Sequence, residues 1–292
     1  MRRSKTGAQS EIQAGELGVE TQVSPIAGLR WTRRFLILLA ILLGLAALYW
    51  PKSWLPELDI PKLLNAARYT LYLTALSMPL AVAFGLVLAL MRRSRFKFLA
   101  WPASLYVEVI RGTPLLVQLY IVYYSLPQVG QWLDAKFDLD RFGDYLTLDN
   151  FFVGVICLAG NYAAYEAEIH RAGLQAIDKG QREAALSIGM SERQAFFRVV
   201  LPQAFRIVVP PIINDLIAML KDSCLVSVIG VGELLFVAQG IGKSRFNMPQ
   251  MLVAAAVIYL ILSLICYVFG KWVESWMKVK GAPELHVDQV RH

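Results

Sequence analysis

The sequence predicts an all-α integral membrane protein with six transmembrane helices, and three observations lead there. Of its 292 residues, 57% are hydrophobic and only 17% charged, against about 45–50% and about 25% in soluble domains. The apolar residues gather into runs long enough to cross about 30 Å of hydrocarbon as helix. The basic residues cluster on alternate sides of successive runs, which marks membrane topology rather than nucleic-acid binding, despite a net charge of +7.

Taken in order, residues 1–34 form a cytoplasmic tail. Its first 29 residues are rich in Gly, Ser, Gln and Glu without an apolar period, and are expected to be disordered. The first span runs from Phe35 to Trp50. Basic residues precede it as in a signal peptide, but no small-x-small cleavage site follows and Tyr49-Trp50-Pro51 resembles an interfacial anchor, so a retained helix is expected. With an outer loop it fills residues 35–62.

The second span, Leu63 to Met91, would be about 43 Å long if straight, more than the hydrocarbon requires, and Pro79 and Gly85 near its middle predict a tilt or kink. Thr70, Thr74 and Ser77 share one face, turned either toward a polar path or toward a neighbouring helix. The third span, Leu99 to Leu126, contains Gly112-Thr113-Pro114, expected to be an irregularity that shapes the path. The fourth, fifth and sixth run from Asn150 to Ile169, Ile207 to Ile229 and Gln250 to Val273, before a cytoplasmic tail at 279–292.

Orientation follows from charge. Arg30, Arg33 and Arg34 precede the first span; Arg92, Arg93, Arg95 and Lys97 follow the second; Arg171, Lys179, Arg182, Arg193, Arg198 and Arg206 follow the fourth. These segments are expected in the cytoplasm, with both termini on that side.

Several chemistries are disfavoured. Cys157, Cys224 and Cys266 form no CxxC pair and lie within spans, as packing residues do. His170, His286 and His292 show no metal-ligand spacing, and no Ser-nucleophile motif appears. Gly242-Lys243-Ser244 approaches a phosphate-binding loop, but Val237 occupies the leading glycine position and the segment falls on the outer side. Neither an enzyme nor a cofactor bound by this chain is expected.

The longest cytoplasmic stretch, Ala172 to Arg206, reads as two short helices. Asp178 caps the first, Gly189 stops it, and Ser191 with Gln194 makes a capping box for the second. Pro202 is expected to end the second helix, and Pro210-Pro211 to mark a turn or helix start. A stiff, capped hairpin between two membrane helices suits docking to a separate soluble motor.

Glu183-Ala184-Ala185, then Gly189, then Leu201-Pro202, resembles the EAA loop of ABC importer permeases; Val199 departs mildly from the isoleucine usual there. The stretches Glu108–Gln118, Tyr165–Gln175 and Leu220–Ile229 resemble the polar amino acid branch of that family, the histidine and glutamine uptake type. The resemblance covers residues 63–278, a five-helix transmembrane domain with the coupling loop at 178–202, and the first helix looks like an addition to it. It implies ATP-driven import of a polar amino acid across the bacterial cytoplasmic membrane by alternating access. The implied partners are a second permease copy or a homologous permease, an ABC ATPase dimer carrying ATP and Mg, and an extracytoplasmic binding protein. An ion-coupled carrier or an uncoupled channel is the alternative, and neither requires an EAA loop.

Charges at bilayer depth are costly and usually face a partner or a wet cavity. Candidates for the substrate path are Glu108, Arg111, Thr113, Asn161, Glu168, Asn214, Lys221 and Asp222. Glu108 and Arg111, three apart, are spaced to pair, and Asn214 and Lys221 share a face. Glu166 and Glu168, two apart on a helix, point about 200° apart and cannot serve one reacting centre.

Overall fold

The computed structural model describes residues 59–137 and 147–277. The first predicted span and both predicted tails lie outside the described residues. All described elements belong to one compact unit, residues 57–292. In chain order they are α1 (Ile60–Arg92), α2 (Lys97–Arg111), α3 (Leu115–Phe137), α4 (Asn150–Gln175), α5 (Lys179–Ser187), α6 (Glu192–Ala195), a π-helical turn (Phe196–Val200), α7 (Leu201–Asp222), a 3-10 segment (Ser223–Ile229), α8 (Leu234–Ser244) and α9 (Met248–Met277). No strand occurs among the described residues.

The bundle is organised on α1 and α4, which make the most extensive helix–helix contact. Small residues permit it: a Cβ on Gly85 would lie 2.5 Å from the Cβ of Glu166 and 2.9 Å from the carbonyl of Ala163. Leu73, Met78 and Ala81 of α1 join Val153, Leu158 and Tyr162 of α4 in the main buried cluster, closed by Met219 and Val226. A second cluster sets Leu63 and Ala67 of α1 against α8 and α9 through Leu234, Ala238, Met251 and Ala254. Asp59 caps α1 and Asp149 caps α4 by accepting backbone N–H groups. Its hydrogen bond with Lys62 holds the Asp59 carboxyl below the ordinary carboxylate range.

The polar face of α1 serves packing. Thr70 Oγ1 donates to Ala66 O at 3.4 Å and accepts from Leu234 N at 3.2 Å, Thr74 donates to Thr70 O at 2.9 Å, and Ser77 donates to Val155 O at 3.4 Å. All three are buried. Cys157 is buried in the main cluster as a thiol, in keeping with a packing role.

Several boundaries differ from expectation. The third span is not one helix: α2 and α3 are turned by 113° at residues 112–114, the site where an irregularity was expected. Pro202 does not end the second hairpin helix. The chain passes from α6 through the π-helical turn, in which Leu201 N bonds to Phe196 O, into α7. Pro202 therefore sits inside a helical run continuous from Glu192 to Ile229, directly after the π-helical turn, as packed membrane helices tolerate. Pro210 and Pro211 lie inside α7 and neither starts nor stops it, as packed membrane helices tolerate. The 3-10 segment at the predicted end of the fifth span stops at Gly230, whose φ of +83° suits only glycine well.

Two described helices, α1 and α9, are long and apolar enough to cross a bilayer, and two bent pairs, α2 with α3 and residues 192–229 with α8, bring the number to four. The expected count of six is therefore not reached among the described residues. Helix α4 has the length, 26 residues, but carries Asn161, Glu166, Glu168 and His170. Its neighbours shield it, so it need not be apolar throughout.

Candidate functional site

The hairpin at 178–202 is built by local hydrogen bonds. Asp178 accepts from Gly180 N at 2.6 Å and opens α5. The helix ends in a Schellman arrangement, with Met190 N bonded to Ala185 O at 3.2 Å and Gly189 N to Leu186 O at 3.0 Å. Gly189 takes φ +87°, which a side chain would strain. Ser191 then caps α6: its Oγ accepts from Gln194 N at 3.3 Å, and Gln194 Oε1 accepts from Ser191 N at 2.9 Å. Arg182 clamps the two helices together, donating to both carboxylate oxygens of Glu192 at 2.9 and 2.6 Å. Gln203 donates to Gln181 Oε1 at 3.4 Å and to Val199 O at 3.0 Å, tying α5 to the start of α7.

Of the six residues expected to couple, Glu183, Ala184, Gly189, Leu201 and Pro202 are exposed, and Ala185 is buried within the hairpin. Ile188 is 76% exposed and Phe205 61%. The hairpin thus exposes the apolar Ile188 as well as Glu183, and α7 exposes Phe205 three residues beyond Pro202.

The path candidates fall into three groups. The first is an ionic hub on Glu168. Arg171 donates to Glu168 Oε2 from both Nε and Nη2, at 2.8 and 2.6 Å; Arg92 hydrogen-bonds Oε1; Arg111 stands 3.8 Å from Oε1. Glu108 lies 3.9 Å from Arg92. Glu108 and Arg111 are therefore not paired with each other as their spacing suggested; each is drawn to a charge on another helix. Arg111 also lies over the ring of Tyr165, 5.5 Å from its centroid.

The second group is a hydrogen-bond knot on Gln118. Its Nε2 donates to Ile110 O at 2.8 Å, Thr113 O at 3.0 Å and Thr113 Oγ1 at 2.8 Å, while its Oε1 accepts from Asn161 Nδ2 at 2.9 Å. Thr113 Oγ1 donates to Val109 O at 2.8 Å. The knot pins the break between α2 and α3 against α4 and satisfies carbonyls that the break frees.

The third group lies on α7. Asn214 and Lys221 are exposed, and Asp222 accepts from Tyr162 at 2.8 Å, which fixes the end of α7 to α4. Glu166 and Glu168 do diverge. Glu168 meets the arginines, whereas Glu166 is fully buried beneath Gly85 with neither carboxylate oxygen hydrogen-bonded.

Sequence reasoning missed three residues that organise these groups. In the sequence Arg92 signals only topology, and Gln118 only the resemblance of residues 108–118. Glu233, fully buried, accepts from Leu235 N at 2.9 Å, Phe236 N at 2.8 Å and Tyr259 at 2.5 Å, and so fixes α8 to α9. An acid followed by an apolar helix is a capping signal that could have found it. Gly242-Lys243-Ser244 forms the last turn of α8 rather than a loop. Among the described residues no cluster of His, Cys, Asp and Glu could hold a metal ion.

Known proteins resemble most of the chain. A family model described as "Binding-protein-dependent transport system inner membrane component" matches residues 81–279. The chain is 39% identical over 220 residues to the arginine transport system permease protein ArtQ of Bacillus subtilis (strain 168), covering 75% of this chain and 94% of the relative. It is 40% identical over 210 residues to the L-cystine transport system permease protein TcyB of the same organism, covering 72% and 82%. The crystal structure of an amino acid ABC transporter with histidines contains a chain that superposes with a TM-score of 0.65 at 38% identity, covering 74% of this chain and 94% of that one.

Proposed function

Because the chain belongs to the family of binding-protein-dependent transport system inner membrane components, we propose that it is the permease subunit of an ATP-driven importer of polar amino acids in the bacterial cytoplasmic membrane. The observation that carries the proposal is the capped hairpin at 178–202, joined to the bundle without a flexible linker. On one side it follows α4, which bears the Glu168 hub; on the other it runs through the π-helical turn into α7, which bears Asn214, Lys221 and Asp222. A displacement of the hairpin is therefore passed to two helices that carry the polar candidates for the path.

In this reading the hairpin faces the cytoplasm and seats Glu183, Ala184, Gly189, Leu201 and Pro202 on a separate ATPase subunit, which holds ATP and Mg. A second copy of the chain, or a homologous permease, completes the path. An extracytoplasmic binding protein delivers the substrate. Closure of the ATPase pair moves the hairpins and shifts the population between inward- and outward-facing states. The relatives named for arginine and L-cystine and the structure solved with histidines support a zwitterionic substrate, whose carboxylate and ammonium suit the mixed charges of Arg111, Lys221 and Asp222.

The test is uptake of labelled amino acids into vesicles holding the permease, its ATPase and its binding protein. Uptake that requires ATP and is lost in Glu183→Ala together with ATPase co-purification is the expected result. Uptake that persists without the ATPase and collapses with the ion gradient would overturn the proposal in favour of an ion-coupled carrier.

A further inference from the structure

The corner between α1 and α2 carries charge that neither the hub nor the hairpin uses. Residues 92–101 read Arg-Arg-Ser-Arg-Phe-Lys-Phe-Leu-Ala-Trp, without an acid. Arg92 turns inward to Glu168 and Glu108. Arg93, Arg95 and Lys97 are exposed and form no ion pair among the described residues. The hub cannot neutralise them, since its two carboxylates, Glu108 and Glu168, already face Arg92, Arg111 and Arg171.

Aromatic side chains are interleaved with these cations. Phe96, Phe98 and Trp101 are 56%, 71% and 68% exposed, and the rings of Phe96 and Phe98 are 5.6 Å apart. The aromatic surface continues along α2 as an apolar stripe, Trp101, Leu105 and Val109, on the face opposite the buried Ala103 and Val107, with the exposed Glu108 beside its far end. The stripe leads about 12 Å away from the cations at the helical rise. Cations at one end, aromatic rings beside them and an apolar strip beyond match the order of phosphate, interfacial region and acyl chain in a phospholipid. The strip belongs to α2, part of a bent pair long and apolar enough to cross a bilayer, where acyl chains rather than a water-soluble protein are its neighbours.

We infer that the α1–α2 corner is a binding site for an anionic phospholipid, with Arg93, Arg95 and Lys97 holding the headgroup phosphate and Trp101, Leu105 and Val109 lying along an acyl chain. The inference rests on membrane embedding alone and is independent of which substrate is carried.

The test is native mass spectrometry of the full-length chain released from detergent, with phosphatidylglycerol or phosphatidylcholine added. The wild type should retain phosphatidylglycerol preferentially, and the preference should fall as salt rises. Removing the cations one at a time (Arg93→Gln, Arg95→Gln, Lys97→Gln) should weaken retention about fivefold per cation, while Arg182→Gln on the hairpin leaves it unchanged. Swapping the charges among themselves (Arg93→Lys, Arg95→Lys, Lys97→Arg) should preserve the preference, so a general folding defect is separated from loss of charge. Equal retention of the two lipids by the wild type would overturn the inference. So would unaltered retention when Arg93→Gln, Arg95→Gln and Lys97→Gln are combined, or loss of ATPase co-purification in that combined variant with lipid retention intact.

Discussion

Two ion pairs of the same length stand in different surroundings. Arg171 meets Glu168 at 2.6 Å in the hub, where the Glu168 side chain is 19% exposed; Arg182 meets Glu192 at 2.6 Å in the hairpin, where the side chains are 55% and 63% exposed. Water solvates the second pair well enough to replace either partner, so the bond chooses a geometry more than it adds stability. In the hub little water reaches Glu168 or Arg92, so loss of the carboxylate strands Arg92, whereas Arg111 and Arg171, 43% and 47% exposed, keep much of their hydration. Distance alone does not rank these contacts; burial does.

The largest effect should come from breaking that contrast directly. Glu168→Gln leaves Arg92, Arg111 and Arg171 without their shared carboxylate and should cost about 3 kcal/mol, the low end for a buried pair because Arg111 and Arg171 keep much of their hydration, read as a large fall in melting temperature of the detergent-solubilised permease. Arg182→Ala in the hairpin should cost no more than about 1 kcal/mol. Equal shifts in the two variants would show that the hub is as well hydrated as the hairpin.

Next in size is Gly85→Ala. Its new Cβ would stand 2.5 Å from Glu166 Cβ and 2.9 Å from a backbone carbonyl of α4, and two tightly packed helices must separate to admit it. Overpacking of this kind costs about 1–3 kcal/mol. An unchanged melting temperature would mean that α1 and α4 slide past each other freely.

The same two regions differ in how far they could be read from the sequence. The hairpin was legible because its determinants are local. Asp178 acts two residues on, Ser191 and Gln194 act on each other across three, and Gly189 acts through its own backbone. The resemblance of Glu183-Ala184-Ala185, Gly189 and Leu201-Pro202 to a coupling loop was legible for the same reason. The hub was not, because Arg92 and Glu168 are 76 residues apart. Spacing on one helix instead suggested pairing Glu108 with Arg111, and tertiary contacts overrode it. The prolines at and beyond the C-terminal end of the hairpin depart from the breaks that their sequence predicts. Pro202 follows the π-helical turn within one continuous helical run, and Pro210 and Pro211 sit within α7, all supported by packing that a single sequence does not display. The glycine and proline at 112–114 signal an irregularity, but not the 113° turn, and the Gln118–Asn161 hydrogen bond that ties it to α4 is again long-range.

A smaller effect is expected at Gly189. Nothing lies within 4 Å of a Cβ placed there, so a substitution meets no clash and the only penalty is its left-handed backbone. Gly189→Val should cost about 1–2 kcal/mol, and Gly189→Asn less, since asparagine tolerates that conformation. In a reconstituted transporter the valine variant should lose more substrate-stimulated ATPase activity than the asparagine variant. If both lose it equally, the glycine matters for close approach of the ATPase rather than for backbone conformation.

The smallest effect isolates the second cap. Ser191→Ala removes the acceptor for Gln194 N and leaves Gln194 Oε1 still able to accept from the residue-191 N–H, so half of the capping box survives. N-cap losses run to about 1 kcal/mol, and because α6 has only four helical residues before the π-helical turn, the loss should stay local. Amide hydrogen exchange should quicken at residues 192–195 and remain unchanged in α4, which packs against α1 and not against this cap. Ser191→Asp should restore protection by supplying another acceptor at the same position. If exchange also quickens in α7 beyond Leu201, the π-helical turn transmits hairpin disorder into the bundle, and the hairpin and the membrane helices behave as one mechanical element rather than two.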